Sequence, residues 1–570
     1  MSVITPARLR ALLLDAWPLL LAVVLVAPLY GGRGYPIARD LVFLPRHAWT
    51  PAVLGLDDAP PRAVPLDAVL AALTAVVDGG ILARAVLPLV LAAAGWGVHR
   101  LLRDCGTAAR LAAGGFAVWN PYVVERLTLG QWALLLGYAA LPWIAAAAIR
   151  WRRDGDRRDL ATVVLWTALA SLTPTGGLLA VVTAAGFAWS RGRRVVRMVA
   201  LLAVLQLPWL VPALTGSGMD AADPAGVDAF AAHGDTPGGF VVSVLGLGGI
   251  WDTRSVPASR ETWLGVLTAV VVVAVVALAV PRLARLWGRG DLVRGAAIAA
   301  GGLAIALLSA TPWGSEAMRW LVVEVPGAGL LRDAQKFLAP ACILVAAALG
   351  VVTELLLERV RRHGAEVAIS AALPLLALPV LLLPDATSRT WTTVGPVSFP
   401  EGLEQASAEL SSSEDDTAVA TLPWRSYRHF TWANGEVSSD PAIRWFDRTV
   451  LTSAELAVGN RVIRGESRRT TELGRALERG RPAEVLPEYG VGWVLVYRDD
   501  PDTDALDLSG LSLVVDDPDV RLYKVPGDDI ESREQPTRRV VLVVLGDLAA
   551  LAVLCAGALS RIRRANSTRR

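Results

Sequence analysis

Lysine is almost missing from this chain. Lys336 and Lys524 are the only two, and arginine supplies the rest of the 55 cationic side chains. Cysteine is nearly as scarce: Cys105, Cys342 and Cys555 have no metal-ligand spacing and imply no disulfide framework. His99, His233, His363 and His429 are scattered and form no ligand set. Net charge is only +2, which removes the electrostatic basis for nucleic-acid binding. The glycine run of GFVVSVLGLGG (239–249) lacks the Lys-Ser/Thr that completes a nucleotide phosphate loop. Heptads, solenoid periods and low-complexity tracts are absent too.

Apolar sequence is abundant. Of the 570 residues, 54% are hydrophobic, too many for a soluble protein with several cores. About twelve apolar windows approach the length of a membrane span: 11–30, 80–101, 107–121, 131–149, 159–174, 175–190, 197–214, 262–281, 292–312, 335–357, 365–384 and 539–559. The first follows Arg8 and Arg10 and reads as a retained span rather than a cleaved leader. Every second connection is rich in arginine, from Arg100, Arg103 and Arg110 to Arg561, Arg563 and Arg564. That alternation predicts a multi-pass plasma-membrane protein with both termini cytoplasmic.

The fold class expected is therefore a polytopic α-helical membrane protein with a small extracytoplasmic α/β module before the last helix. Residues 1–384 form the membrane domain, 385–538 the module, and 539–570 the last helix with a basic cytoplasmic tail. Within the module, 417–424 and 490–500 read as strands, 511–525 as a hairpin and 467–480 as an amphipathic helix.

The expected outer connections carry the candidate chemistry. The first (31–79) holds Arg39, Asp40, Asp57 and Asp58, with a possible interfacial helix over 66–77. The second, WNPYVVERLTLGQW (119–132), holds Glu125 and Arg126, read as a pair at a helix end, with Glu125 a functional candidate beside Asp40. The third is the glycine-rich stretch, where backbone approaches another surface closely. The fourth is GLLRDAQKFLAP (329–340). On a helix, Arg332 and Lys336 share one face and hold a phosphate, helped by the helix N-terminus. The plain alternative is snorkelling side chains with Asp333 as partner.

ARDLVFLP (38–45), NPYVVERLTLGQWALLLGYAALPW (120–143), GGIWDTRSVPASR (248–260) and LLRDAQKF (330–337) resemble the GT-C superfamily of membrane glycosyltransferases, and within it the actinobacterial arabinofuranosyltransferase-like proteins. The resemblance implies transfer of a sugar from a polyprenyl-phosphate donor to a cell-envelope glycan or lipid. It implies Asp40 as base toward the acceptor hydroxyl or as holder of a divalent cation. It also implies Arg332, Lys336 and Arg39 at the donor phosphate. Family members often carry two adjacent acids in the first loop; here the adjacent pair is Asp57-Asp58, so the acid is either Asp40 or one of that pair. Two rivals share the topology: a non-catalytic envelope-assembly or glycan-binding protein, and a secondary transporter, which the lack of matched halves disfavours.

Overall fold

A computed structural model describes residues 6–57, 61–190, 192–216, 222–325, 327–459, 461–527, 530–531 and 535–567. Each of the twelve apolar windows contains helix, but the count of spans is lower. Among the described residues six helices are long and apolar enough to cross a membrane: Gly79–Leu101, Trp132–Asp154, Trp263–Trp287, Arg289–Ser309, Ala334–His363 and Thr537–Arg561. Two bent pairs, kinked by 64° at 205–206 and by 57° near 383–385, raise the number to eight if each is one span. The reason lies in length. Thr107–Val118, Arg157–Ala170 and Pro174–Ala188 have 12, 14 and 15 residues. At 1.5 Å per residue they fall short of a hydrocarbon layer of about 30 Å. The chain is a multi-pass membrane protein in which short helices pack among long ones.

One large core joins the first helix, Pro6–Leu25, to Gly79–Leu101, Thr107–Val118, Trp132–Asp154 and the helix Ala339–Val360. Small residues let these helices approach closely. A Cβ at Gly350 would lie 2.7 Å from the Ala109 carbonyl oxygen, and one at Gly137 2.6 Å from the Gly176 Cα.

The segments read as strands are strands. A five-stranded sheet runs in the order Ser512–Asp516, Val520–Lys524, Val491–Tyr497, Ala418–Leu422, Val450–Leu451. Val491–Tyr497 pairs parallel to Ala418–Leu422 and antiparallel to Val520–Lys524. All seven of its residues are buried, which is why VGWVLVY reads as an unbroken apolar run rather than an alternating one. Glu401–Ser412 and Arg468–Leu477 are helices beside it.

This sheet does not have its core to itself. The first loop folds into a hairpin, Tyr35–Ala38 with Leu41–Val42, and Tyr35–Ala38 also pairs with Pro396–Val397. Ile37, Val42 and Leu44 pack in one cluster with Leu403, Phe430, Trp493 and Leu522. The hairpin is thereby clamped between the sheet and the helices, and its tip is residues 39 and 40.

Candidate active site

The hairpin tip sits on a corner made by Pro121–Thr128. Asn120 caps this helix by accepting from the Val123 amide at 3.1 Å, and Pro121 occupies its first turn. The helix ends at Leu129, and Gly130 turns the chain with φ +81°. A Cβ on Gly130 would lie 2.4 Å from the Leu41 nitrogen and 2.9 Å from the Asp40 nitrogen. Only glycine fits both the dihedral and the space.

Asp40 is exposed at that tip. Its Oδ2 accepts from the Gln131 amide at 3.1 Å, and the Tyr427 hydroxyl donates to Oδ1. Burial, then the Asp40 carboxylate, hold the Tyr427 phenol well above its ordinary pKa, so it stays a donor. Arg39 turns the other way. With φ +54°, it sends its guanidinium to the Thr128 carbonyl at 2.9 Å, to Ser255 Oγ at 2.7 Å and to Asp252 at 3.3 Å. It ties the hairpin to the 252–255 turn.

Behind Asp40 lies a buried polar network. Arg126 is fully buried and does not pair with Glu125, contrary to expectation, because neighbours on a helix do not face each other. It grips Asp333 through two parallel bonds, Nη1 to Oδ2 at 2.5 Å and Nη2 to Oδ1 at 2.7 Å. Nη1 also donates to Gln131 Oε1 at 2.8 Å, and Nε and Nη2 to Gln335 Oε1. All five guanidinium hydrogens are used. Burial alone would raise the Asp333 pKa, but Arg126 and Lys336 outweigh it and hold this carboxyl below its usual value.

Gln335 carries the network to Glu125, whose Oε2 accepts from its amide at 3.1 Å. Glu125 Oε1 lies 3.3 Å from Arg260 Nε, and Arg260 is itself gripped by Asp235 at 2.7 and 2.8 Å. Gly248 makes room for that guanidinium: a Cβ there would lie 2.3 Å from Nη2. The close approach expected of the GLGG stretch is thus to Arg260. Glu125 is 0% exposed, and burial, reinforced by Asp235, pushes its pKa well up. It sits inside the network, linked through Gln335 to Arg126.

Lys336 stands at the accessible edge, its side chain 22% exposed and its ammonium 3.4 Å from Asp333 Oδ2. Tyr122 fixes its backbone by donating to the Lys336 carbonyl at 3.0 Å. The expected shared helix face with Arg332 does not form. Residues 328–338 are two 3-10 turns broken at Asp333 (ψ +75°), and the α-helix starts only at Ala339. Arg332 diverges, to Glu466 at 2.5 Å and over the Phe230 ring. It joins the membrane part to the segment before Arg468–Leu477, and Lys336 is left beside Asp333 and Asp40.

Of the alternative acids, Asp57 lies at the base of the last helix. Its carbonyl, with those of Gly55 and Leu56, receives Arg539. Asp58 lies outside the described residues. Among the described residues no group of three or more His, Cys, Asp or Glu side chains is placed to share a metal ion. The carboxylate of Asp40 has an amide and a phenol as partners, not a second acid. The donor set does not fit the divalent cation implied by the resemblance. Gln335, Asp235, Arg260 and Tyr427 were not singled out in the sequence. Gln335 and Arg260 fall inside strings quoted there, whereas Tyr427 is 387 residues from its partner and gives no local signal.

Known structures superpose on this chain to different degrees. Arabinofuranosyltransferase AftD from Mycobacteria, in a variant form, superposes with TM-score 0.51 and 17% identity over 93% of this chain and 42% of that one. Another AftD structure gives 0.49 and 18% over 92% and 40%. The oligosaccharyltransferase of Archaeoglobus fulgidus gives 0.36 and 13% over 85% and 68%. The chain spans about two fifths of the length of AftD. At 17% identity the likeness to AftD is one of fold. No protein-family model matches the chain, and no curated protein matches it.

Proposed function

We propose that the chain is a membrane glycosyltransferase that moves a sugar from a polyprenyl-phosphate donor to a cell-envelope glycan or lipid on the extracytoplasmic face. One observation carries the reading. Arg126 and Lys336 share the Asp333 carboxylate, and the partly exposed Lys336 also feels the charge of Asp40. Asp40 is tied to this cluster through Gln131 and Arg126. A base and a cation on one frame suit displacement at a sugar carbon bound to phosphate.

In this reading the acceptor hydroxyl gives its proton to the Asp40 carboxylate as its oxygen bonds to the sugar C1. The bond from C1 to the phosphate oxygen breaks, and polyprenyl phosphate leaves carrying the electron pair. Lys336 stabilises the charge that grows on that oxygen. Tyr427 and Gln131 hold the carboxylate in place. Glu125 and Arg260 support the frame, and Arg332 and Arg39 tie the loops that form it.

The test is transfer of labelled sugar from a polyprenyl-phosphate donor by the purified chain. Asp40→Asn and Lys336→Gln should each lower turnover roughly a hundredfold or more while thermal unfolding stays unchanged. Asp57→Asn should retain it. Full transfer by Asp40→Asn would overturn the assignment.

A further inference from the structure

The last membrane helix carries an acid that the rest of the chain does not use. Thr537–Arg561 is long and apolar enough to cross a membrane, and Asp547 stands within it. One end of this helix is pinned by Arg539, which donates to the Gly55 and Asp57 carbonyls of the first loop at 2.9 Å. Asp547 follows eight residues later, about 12 Å along the axis at 1.5 Å per residue. Arg561 closes the apolar stretch a further fourteen residues on, about 21 Å away. The carboxyl is therefore held inside the span, away from both of its charged ends.

One face of this helix is taken. Val543 and Ala550 are buried, and the glycines beside them rest on neighbouring helices. A Cβ at Gly546 would lie 3.3 Å from Val211 Cγ2, and one at Gly557 3.1 Å from Val164 Cγ1. Those neighbours are Leu207–Thr215 and Arg157–Ala170. The opposite face is bare. Val544 is 40% exposed, Leu548 56% and Leu551 53%. Asp547 is half-buried at the edge of that face. It belongs to a stripe of Val544, Asp547, Leu551, Leu554 and Ala558, spaced by three and four residues, none of which is buried. Among the described residues no hydrogen bond or ion pair reaches the Asp547 carboxyl, and no charged side chain acts on it.

Bare leucines in a span need only lipid, but a carboxyl needs more. An ionised one is expensive in hydrocarbon, and a neutral one still has an O–H and a C=O that acyl chains cannot satisfy. A neutral carboxyl donates and accepts at once, so it complements a copy of itself. A two-fold axis brings the same surface of two chains together, and thus one such carboxyl against the other. A second copy satisfies the group without carrying a cation into the bilayer, which a partner helix bearing lysine or arginine would have to do.

We propose that the chain self-associates in the membrane through this stripe, with the Asp547 carboxyls of two copies hydrogen-bonded to each other. The full chain, labelled at a C-terminal tag and reconstituted at high dilution in phosphatidylcholine liposomes, tests this by single-molecule photobleaching. The wild type should bleach in two steps more often than chance co-capture allows. Asp547→Leu should weaken the association roughly tenfold. Asp547→Asn should keep it, because an amide also donates and accepts. Cys555 reports on the contact: it is exposed two turns along the same helix, whereas Cys105 and Cys342 are buried. A short bis-maleimide should join two wild-type chains through it. A wild type that bleaches in single steps would overturn the proposal. So would association undiminished in Asp547→Leu, or a dimer that the reagent does not bridge.

Discussion

The two ends of the helix bundle treat arginine in opposite ways. Near Asp40, Arg126 and Arg260 are almost wholly buried, and each is gripped by a carboxylate through two bonds. At the other end the exposed Arg100 and the half-buried Arg110 line an open cavity, and neither makes an ion pair among the described residues. A guanidinium with every hydrogen used is part of a frame. One that reaches water, as Arg100 does, needs no carboxylate partner. Burial alone would have ranked Arg126 as the functional residue, whereas the partly exposed Lys336 is the cation a ligand can reach.

Removing one cation from each end would break this contrast most sharply. Arg126→Met leaves Asp333 buried beside a single partner and should cost about 3–5 kcal/mol in chemical unfolding. Arg100→Gln should change stability by no more than about 0.5 kcal/mol, or raise it. Equal losses would mean that both ends are structural. Next in size is Gly130→Ala. Its strained dihedral and the contact with the Asp40 and Leu41 amides should cost roughly 1–3 kcal/mol and also lower transfer by displacing Asp40.

Glu125 provides a smaller, pH-dependent test. Its folded pKa is raised by burial and by Asp235. The folded state therefore keeps a proton that the unfolded chain releases near its ordinary pKa of about 4.3. That contribution is complete below the unfolded value and is lost as pH rises through the folded one. Glu125→Gln should flatten the fall in stability on the alkaline side and match the wild type at acidic pH. An unchanged pH profile would show that Glu125 is ionised in the fold.

Much of this was legible in the sequence, and the misses have physical reasons. Apolar length marked every helical window, but it did not show that helices of 12 to 15 residues are too short to span. The string LLRDAQKF was visibly unusual, yet its helical reading failed because Asp333 turns away to meet Arg126 and breaks the turn. Arg126 looked like the partner of Glu125, whereas its true partner lies 207 residues away. The hairpin tip was marked by Asp40, but its clamp, Tyr427, comes from the sheet-containing segment, which no local pattern connects to it. The pairs in the frame are long-range, and spacing carries no information about them.

The most direct measurement is a cryo-EM map of the full chain with a polyprenyl phosphate bound. The account requires phosphate density within about 3 Å of Lys336 Nζ, on the side facing Asp40. Phosphate density confined to the Arg100 and Arg110 cavity, with Lys336 in contact with Asp333 alone, would contradict it.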